Sequence, residues 1–137
     1  MSNQPLHILV VEDEKALAHM IAMVVGGPLA KVVETKNGLE ALIRIGLTKK
    51  PFDIVITDHR MPRMGGLELV KRLRRQNFAG KIMVLSAHLD DEDIAAYQQL
   101  GVDMMMSKPF DFDELQEAMM VLDQKPSVLA TAAAGVE

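Results

Sequence analysis

Short, nearly continuous apolar runs separated by stretches of helical spacing set the pattern of this chain. Leu6-His7-Ile8-Leu9-Val10-Val11 shows no polar alternation, the texture of a strand buried on both faces of a parallel sheet. That texture recurs in Lys31-Val32-Val33-Glu34-Thr35, Ile54-Val55-Ile56-Thr57, Lys81-Ile82-Met83-Val84-Leu85-Ser86 and Val102-Asp103-Met104-Met105-Met106. The segments between them carry helix signals. A first helix over about 14–25 stops at Gly26-Gly27-Pro28, where backbone freedom and a proline end it. Asn37 opens a second, with Glu40 at capping-box spacing and Leu39, Leu42, Ile43 and Gly46 on one face. A third covers about 66–75. Asp90 with Asp93 and Asp111 with Glu114 repeat the capping spacing, Asp93 being the weaker match. Leu89 with Ile94 and Phe110 with Leu115 have the spacing of hydrophobic staples.

Five strands alternating with five helices, with no long loop left over, predict an α/β domain: a doubly wound, five-stranded parallel sheet covered on both faces. Right-handed crossovers narrow the topology. Ligands in such sheets bind outside the carboxyl ends of the strands. Glu12-Asp13, Asp58, Ser86 and Lys108 all stand at those ends.

Composition adds limits. A chain of 137 residues, 49% hydrophobic and 25% charged, has material for one domain with one core. Residues 1–123 read as that domain and 124–137, rich in small residues, as a tail or linker stub. With no cysteine, disulfides and thiolate metal ligation are excluded. The start Met1-Ser2-Asn3-Gln4-Pro5 lacks the basic and apolar regions of a signal peptide, and every apolar run falls short of a membrane span. A soluble cytoplasmic protein without membrane insertion is expected. The net charge of −4 argues against direct nucleic-acid binding. The cluster Lys71-Arg72-Arg74-Arg75 reads as the cationic last turn of a helix.

The residues at the strand ends form an oxygen-only donor set, which favours Mg²⁺, with Mn²⁺ as the alternative. Gathered carboxylates raise one another's pKa unless a cation balances them, and Lys108 is a fixed cation beside the metal. Asp58 is the candidate nucleophile for an aspartyl-phosphate. Ser86 Oγ and the Lys108 ammonium are candidate donors to phosphoryl oxygens. A zinc site built from His59, His88 and nearby carboxylates is the competing reading, disfavoured by Lys108 and the all-oxygen set. His7, in a strand, and His19, on a helix, read as structural. The first helix carries more apolar surface than one buried stripe requires.

Over roughly residues 6–122 the chain resembles the receiver domain of two-component response regulators. The matching pieces are Val10-Val11-Glu12-Asp13-Glu14, Asp58-His59-Arg60-Met61-Pro62-Arg63-Met64-Gly65-Gly66, Leu85-Ser86-Ala87 and Ser107-Lys108-Pro109-Phe110. The resemblance implies a flavodoxin-like (βα)5 fold with strand order 2-1-3-4-5. It also implies Mg²⁺-dependent transfer of phosphate to Asp58 from a histidine kinase or a histidine phosphotransfer protein. Asp13 and Asp58 would bind the metal directly, Glu12 through water, and the Arg60 carbonyl would complete the protein ligands. A cis Lys108-Pro109 bond is expected. The implied molecule is a signalling module rather than an enzyme with an external substrate, catalysing its own phosphorylation and dephosphorylation. Its output would pass through the fourth helix, fifth strand and fifth helix to a protein target, or to a phosphorylation-dependent homodimer.

Within that resemblance Ser86 is the residue expected to move toward the phosphoryl group. Arg60 and His88, two positions beyond Asp58 and Ser86, are expected to tune its lifetime. The position that commonly holds an aromatic residue on the fifth strand is Met105. It is either a core residue or part of an adaptable contact surface. An outward face of the first helix including Ala18 and Met20 is the expected kinase contact; a broad core face is the alternative. Two other functions compete: a Mg²⁺-dependent phosphatase or phosphotransferase working through Asp58, and the receiver of a longer DNA-binding or enzymatic regulator. Against the first, Arg60 stands two residues after Asp58, where aspartate phosphatases usually place a second acid.

Overall fold

The computed structural model describes residues 5–124; of the tail expected over 124–137, all but Gln124 lies outside them. The elements are β1 (Leu6–Val11), α1 (Lys15–Val25), β2 (Ala30–Thr35), α2 (Gly38–Leu47) and β3 (Ile54–Asp58). After them come α3 (Gly66–Arg75), β4 (Lys81–Ser86), α4 (Asp91–Gln99), β5 (Met104–Ser107) and α5 (Phe112–Gln124). All strand pairs are parallel, in the order β2-β1-β3-β4-β5, as expected. Register aligns the carboxyl ends: Val11 lies opposite Thr35 and Thr57, Asp58 opposite Leu85, and Ser86 opposite Ser107.

The absence of polar alternation has a direct cause. On β1, Leu9 and Val11 pack with Val55, Leu69, Leu73, Val84 and Tyr97 beneath α2, α3 and α4. Ile8 and Val10, on the opposite face, pack with Ile21, Ile56, Leu85 and Leu115 beneath α1 and α5. A strand covered on both sides needs apolar residues at successive positions.

Helix starts follow the capping chemistry. Asn37 and Asp90 accept the N–H groups of Glu40 and Asp93 at 2.9 and 2.8 Å. Asp111 and Glu114 form the full reciprocal box, at 2.8 and 3.2 Å. At the other end of α5, Lys81 Nζ donates to the carbonyls of Leu122 and Asp123, groups a helix leaves unpaired at its C-terminus.

Three expectations need correction. The expected face of α2 is its core face only in part: of Leu39, Leu42, Ile43 and Gly46, Leu42 faces inward with Gly38, Ala41 and Ile45, and the other three are exposed. The reason is contact distance. Gly38 donates to the Met64 carbonyl at 2.9 Å, and a Cβ there would stand 2.8 Å from Met64 Cγ, so the start of the helix is held with Gly38 facing Met64. On α1, Ala18 is buried with Ile21 and cannot belong to an outward face; Ala16, His19 and Met23 are exposed and Met20 is half-buried. Finally, β5 begins at Met104 rather than Val102 because the Asp103 carboxylate accepts the Ile82 N–H at 2.8 Å.

Two arginines of the basic cluster of α3 have structural partners. Arg74 donates to the carbonyls of Phe78, Leu100 and Gly101, and Arg72 pairs with Glu68 one turn back at 3.0 Å. His7 is buried, stacked on Phe52 with its ring Nδ1 3.0 Å from the Lys50 carbonyl. His19 is an exposed partner of Glu34.

Candidate functional site

Parallel register carries four sequence-predicted residues to one edge of the sheet. Glu12 follows β1, Asp58 and Ser86 end β3 and β4, and Lys108 follows β5. Glu12, Asp58 and Ser86 are buried, and Asp13 is exposed beside them. One carboxylate oxygen from each of Glu12, Asp13 and Asp58 lies within 4.8 Å of the others. Lys108 Nζ bridges the two buried acids, donating to Glu12 Oε1 at 2.8 Å and Asp58 Oδ2 at 3.0 Å. The Lys108-Pro109 peptide bond is cis.

The electrostatics follow from one ammonium serving a crowd of carboxylates. Burial raises the Glu12 carboxyl above its usual range, more than the bonds from Lys108 and the Glu14 N–H lower it; the Asp58 charge adds to the rise. Burial works against the Lys108 ammonium too, but its hydrogen bonds to Glu12 and Asp58 outweigh that and raise its pKa. The folded state therefore holds the Glu12 proton more tightly than the unfolded chain does. Its contribution to stability is present in full below the ordinary value of 4.5 and is lost as pH rises through the raised folded value. We expect Glu12→Gln, which cannot ionise, to gain stability relative to wild type between pH 4.5 and neutrality. Urea denaturation in chelator across that range checks the sign; a constant difference would rule it out.

Hard oxygen donors with a bridging lysine fit Mg²⁺, which takes one or two carboxylates and keeps several waters. Asp13 and Asp58 stand where they could ligate directly. Among the described residues no histidine joins the cluster, so the zinc reading has no geometric support. His59 instead turns to α4, with Nδ1 2.6 Å from Tyr97 Oη and Nε2 3.4 Å from Asp93 Oδ2. The sequence reading overlooked Tyr97. Its one available signal was that the chain's single tyrosine sits in a helix otherwise poor in large apolar residues.

Ser86 Oγ donates to the His88 carbonyl at 2.9 Å and accepts the His88 N–H at 3.1 Å. While Asp58 is a free carboxylate, that hydroxyl is held by its own loop. Arg60 and His88 are both exposed, on the loops after β3 and β4. Met105 is half-buried against the core beneath α4. With Ser86, His88, Leu89 and Ile94 it lines a 320 Å³ cleft.

Gly66 sets the distance between α3 and the end of β3. A Cβ at this position would come within 3.0 Å of the Asp58 carbonyl and stand 3.1 Å from Tyr97 Oη. Gly66 N–H also donates to the His59 carbonyl at 2.9 Å. We expect Gly66→Ala to lower stability by about 1–3 kcal/mol, the usual cost of overpacking. Chemical denaturation measures it, and an unchanged midpoint would show that the loop relaxes freely.

A family model described as the response regulator receiver domain matches residues 8–120. The transcriptional regulatory protein GlrR of Escherichia coli is 32% identical over 119 residues, covering 87% of this chain and 26% of GlrR. A response regulator receiver protein of Anaeromyxobacter is 37% identical over 101 residues, covering 74% of this chain and 42% of that protein. The chain thus spans about a quarter of one relative and under half of the other. The receiver domain of a Francisella response regulator superposes with a TM-score of 0.74 at 30% identity, covering 85% of this chain and 95% of that one. Sequence match, strand order and the placement of the acidic cluster agree, and the chain belongs to the response regulator receiver domain family.

Proposed function

We propose that Asp58 accepts a phosphoryl group from the phosphohistidine of a histidine kinase or phosphotransfer protein, and that the phosphorylated form signals by binding a partner. Membership of the receiver family makes the chain a signalling module of two-component systems. The observation that carries the assignment to Asp58 is its position. Glu12 shares its burial, its place in the three-carboxylate cluster and its bond from Lys108, but Asp58, which accepts from Lys108 at 3.0 Å, is the one that ends the central strand β3.

In the transfer the phosphorus–nitrogen bond of the donor breaks, a phosphorus–oxygen bond to Asp58 forms, and the released imidazole nitrogen takes up a proton. Bound Mg²⁺ would neutralise charge on the phosphoryl oxygens. Asp13 and Asp58 would hold that cation, with Glu12 acting through water and the Arg60 carbonyl completing the protein ligands. Lys108 donates to a phosphoryl oxygen. Ser86 exchanges its bond to His88 for one to the phosphoryl group, and Arg60 and His88 border the path of the hydrolytic water.

The surface of α4, β5 and α5 is the proposed output face. On α5, Phe112, Met120 and Val121 are 55%, 64% and 48% exposed, apolar area of the kind that partner contacts use. A target protein or a second phosphorylated copy is its proposed occupant. The proposed receiver unit is residues 1–123 with 124–137 as its tail, α5 running one residue past that boundary to Gln124, and its proposed place of action is the cytoplasm. No helix among the described residues is long and apolar enough to cross a membrane.

Incubation with acetyl phosphate and Mg²⁺ followed by intact mass measurement tests the reading. A single phosphoryl adduct is expected. Borohydride reduction, which converts an acyl phosphate to the alcohol, should place it on the peptide containing Asp58. An adduct elsewhere, or steady release of phosphate without an adduct, overturns the proposal.

A further inference from the structure

Helix α4 has one fully buried side chain, Tyr97. Its phenol oxygen lies 2.6 Å from His59 Nδ1, and the two rings meet edge to face at 5.5 Å. On the other side of the imidazole, Nε2 faces Asp93 Oδ2 at 3.4 Å. A carboxylate only accepts, so Nε2 carries the hydrogen, and the lone pair of Nδ1 accepts from the phenol. Burial raises the Tyr97 pKa, which keeps the phenol protonated as a donor.

The backbone of His59 ties this pair to the reacting group. Its N–H lies 2.9 Å from Asp58 Oδ1 and 2.9 Å from the Leu85 carbonyl, and its own carbonyl accepts from Gly66 at 2.9 Å. One residue therefore touches the acceptor carboxylate, β4, the start of α3 and the buried anchor of α4. The fifth strand offers no ring for that role, since its corresponding position is Met105.

We propose that His59 and Tyr97 are positioning residues for phosphoryl acceptance at Asp58, and that the bond between them reports the state of Asp58 to α4. The inference rests on Asp58 being the acceptor. Phosphorylation turns the carboxylate into a mixed anhydride and moves its charge out to the phosphoryl oxygens. The His59 N–H then loses an anionic acceptor, and charge-assisted bonds are the stronger ones. His59 shifts, the phenol–imidazole bond lengthens, and α4 loosens from the sheet. Linkage makes the effect reciprocal: whatever weakens the His59–Tyr97 bond also moves the equilibrium at Asp58.

Amide hydrogen exchange of the peptide spanning α4, with and without acetyl phosphate and Mg²⁺, tests this, with the adduct quantified by mass in the same samples. In wild type, α4 exchange should rise about 5–10-fold on phosphorylation, equivalent to the net loss of about one hydrogen bond. Tyr97→Phe keeps the ring and removes only the hydroxyl. Without phosphorylation it should already show the raised α4 exchange, while peptides from β1 and α5 keep wild-type rates, and phosphorylation should add little. His59→Leu should behave alike, and His59→Asn, whose amide retains an acceptor near the place of Nδ1, should recover most of the difference. A wild-type response of α4 in both Tyr97→Phe and His59→Leu overturns the inference, as does an α4 in wild type that ignores a confirmed adduct. Absence of any adduct in wild type removes the assignment of Asp58 instead, and the inference with it.

Discussion

Asp58→Asn is expected to abolish the phosphoryl adduct while leaving the fold intact. An amide oxygen has neither the charge nor the nucleophilicity of a carboxylate. The substitution is close to isosteric, but its one amide oxygen replaces only one of the two carboxylate oxygens, so it keeps the bond from either the His59 N–H, now at 2.9 Å to Oδ1, or Lys108 Nζ, now at 3.0 Å to Oδ2, and loses the other. Against that loss it removes one of three crowded negative charges, so the metal-free protein should stay folded, with a stability within about 1 kcal/mol of wild type. Mg²⁺ affinity should fall, because a direct ligand has lost its charge. Intact mass after acetyl phosphate treatment, with denaturation and calorimetric Mg²⁺ titration on the same preparation, reads all three quantities. Persistence of the adduct in the variant would move the acceptor to Asp13 or Glu12 and sink the assignment.

The site was legible in the sequence for the same reason the sheet was. A parallel sheet buried on both faces writes its strands as unbroken apolar runs, so the polar residue closing each run marks a carboxyl end. Glu12, Asp58, Ser86 and Lys108 could be placed together without knowing any side-chain angle. Helix rotation was not legible. The stripe Leu39, Leu42, Ile43 and Gly46 satisfies helical periodicity as well as the true core face does, and the two share only Leu42. The choice was made by Gly38 meeting Met64, a contact between distant segments. Ala18 misled similarly: a small residue on an apolar helix reads as surface until α5 is seen to cover it. The His59–Tyr97 bond joins positions on different elements with no local pattern linking them. Local periodicity fixes which elements exist and where they end, whereas tertiary contact decides which way each helix faces.

Lys108→Met should combine the largest kinetic loss with a stability loss of definite pH sign. The ammonium donates to Glu12 and Asp58 at 2.8 and 3.0 Å, and a phosphoryl oxygen on Asp58 would lie within its reach. Removing one preorganised donor of this kind costs about 10²–10³-fold in rate, so phosphorylation by acetyl phosphate should slow by that factor. In the resting protein, two buried carboxylates lose their counter-ion. Breaking a fully buried pair costs several kcal/mol, but the Lys108 side chain is 18% exposed, and water offsets part of the loss. About 1–3 kcal/mol at neutral pH is expected. Because the Lys108 pKa is raised, wild type holds this contribution at all pH values below the ordinary 10.5 and loses it as pH rises through the raised folded value. The variant should recover toward wild type as pH falls and Glu12, itself raised by burial, takes up its proton. Added Mg²⁺ should produce the same recovery by supplying positive charge to the same oxygens. Denaturation at acid and neutral pH, with and without Mg²⁺, separates these effects from the rate. An unaltered rate of adduct formation would show that Lys108 is only a counter-ion, with its contribution confined to holding the carboxylates together.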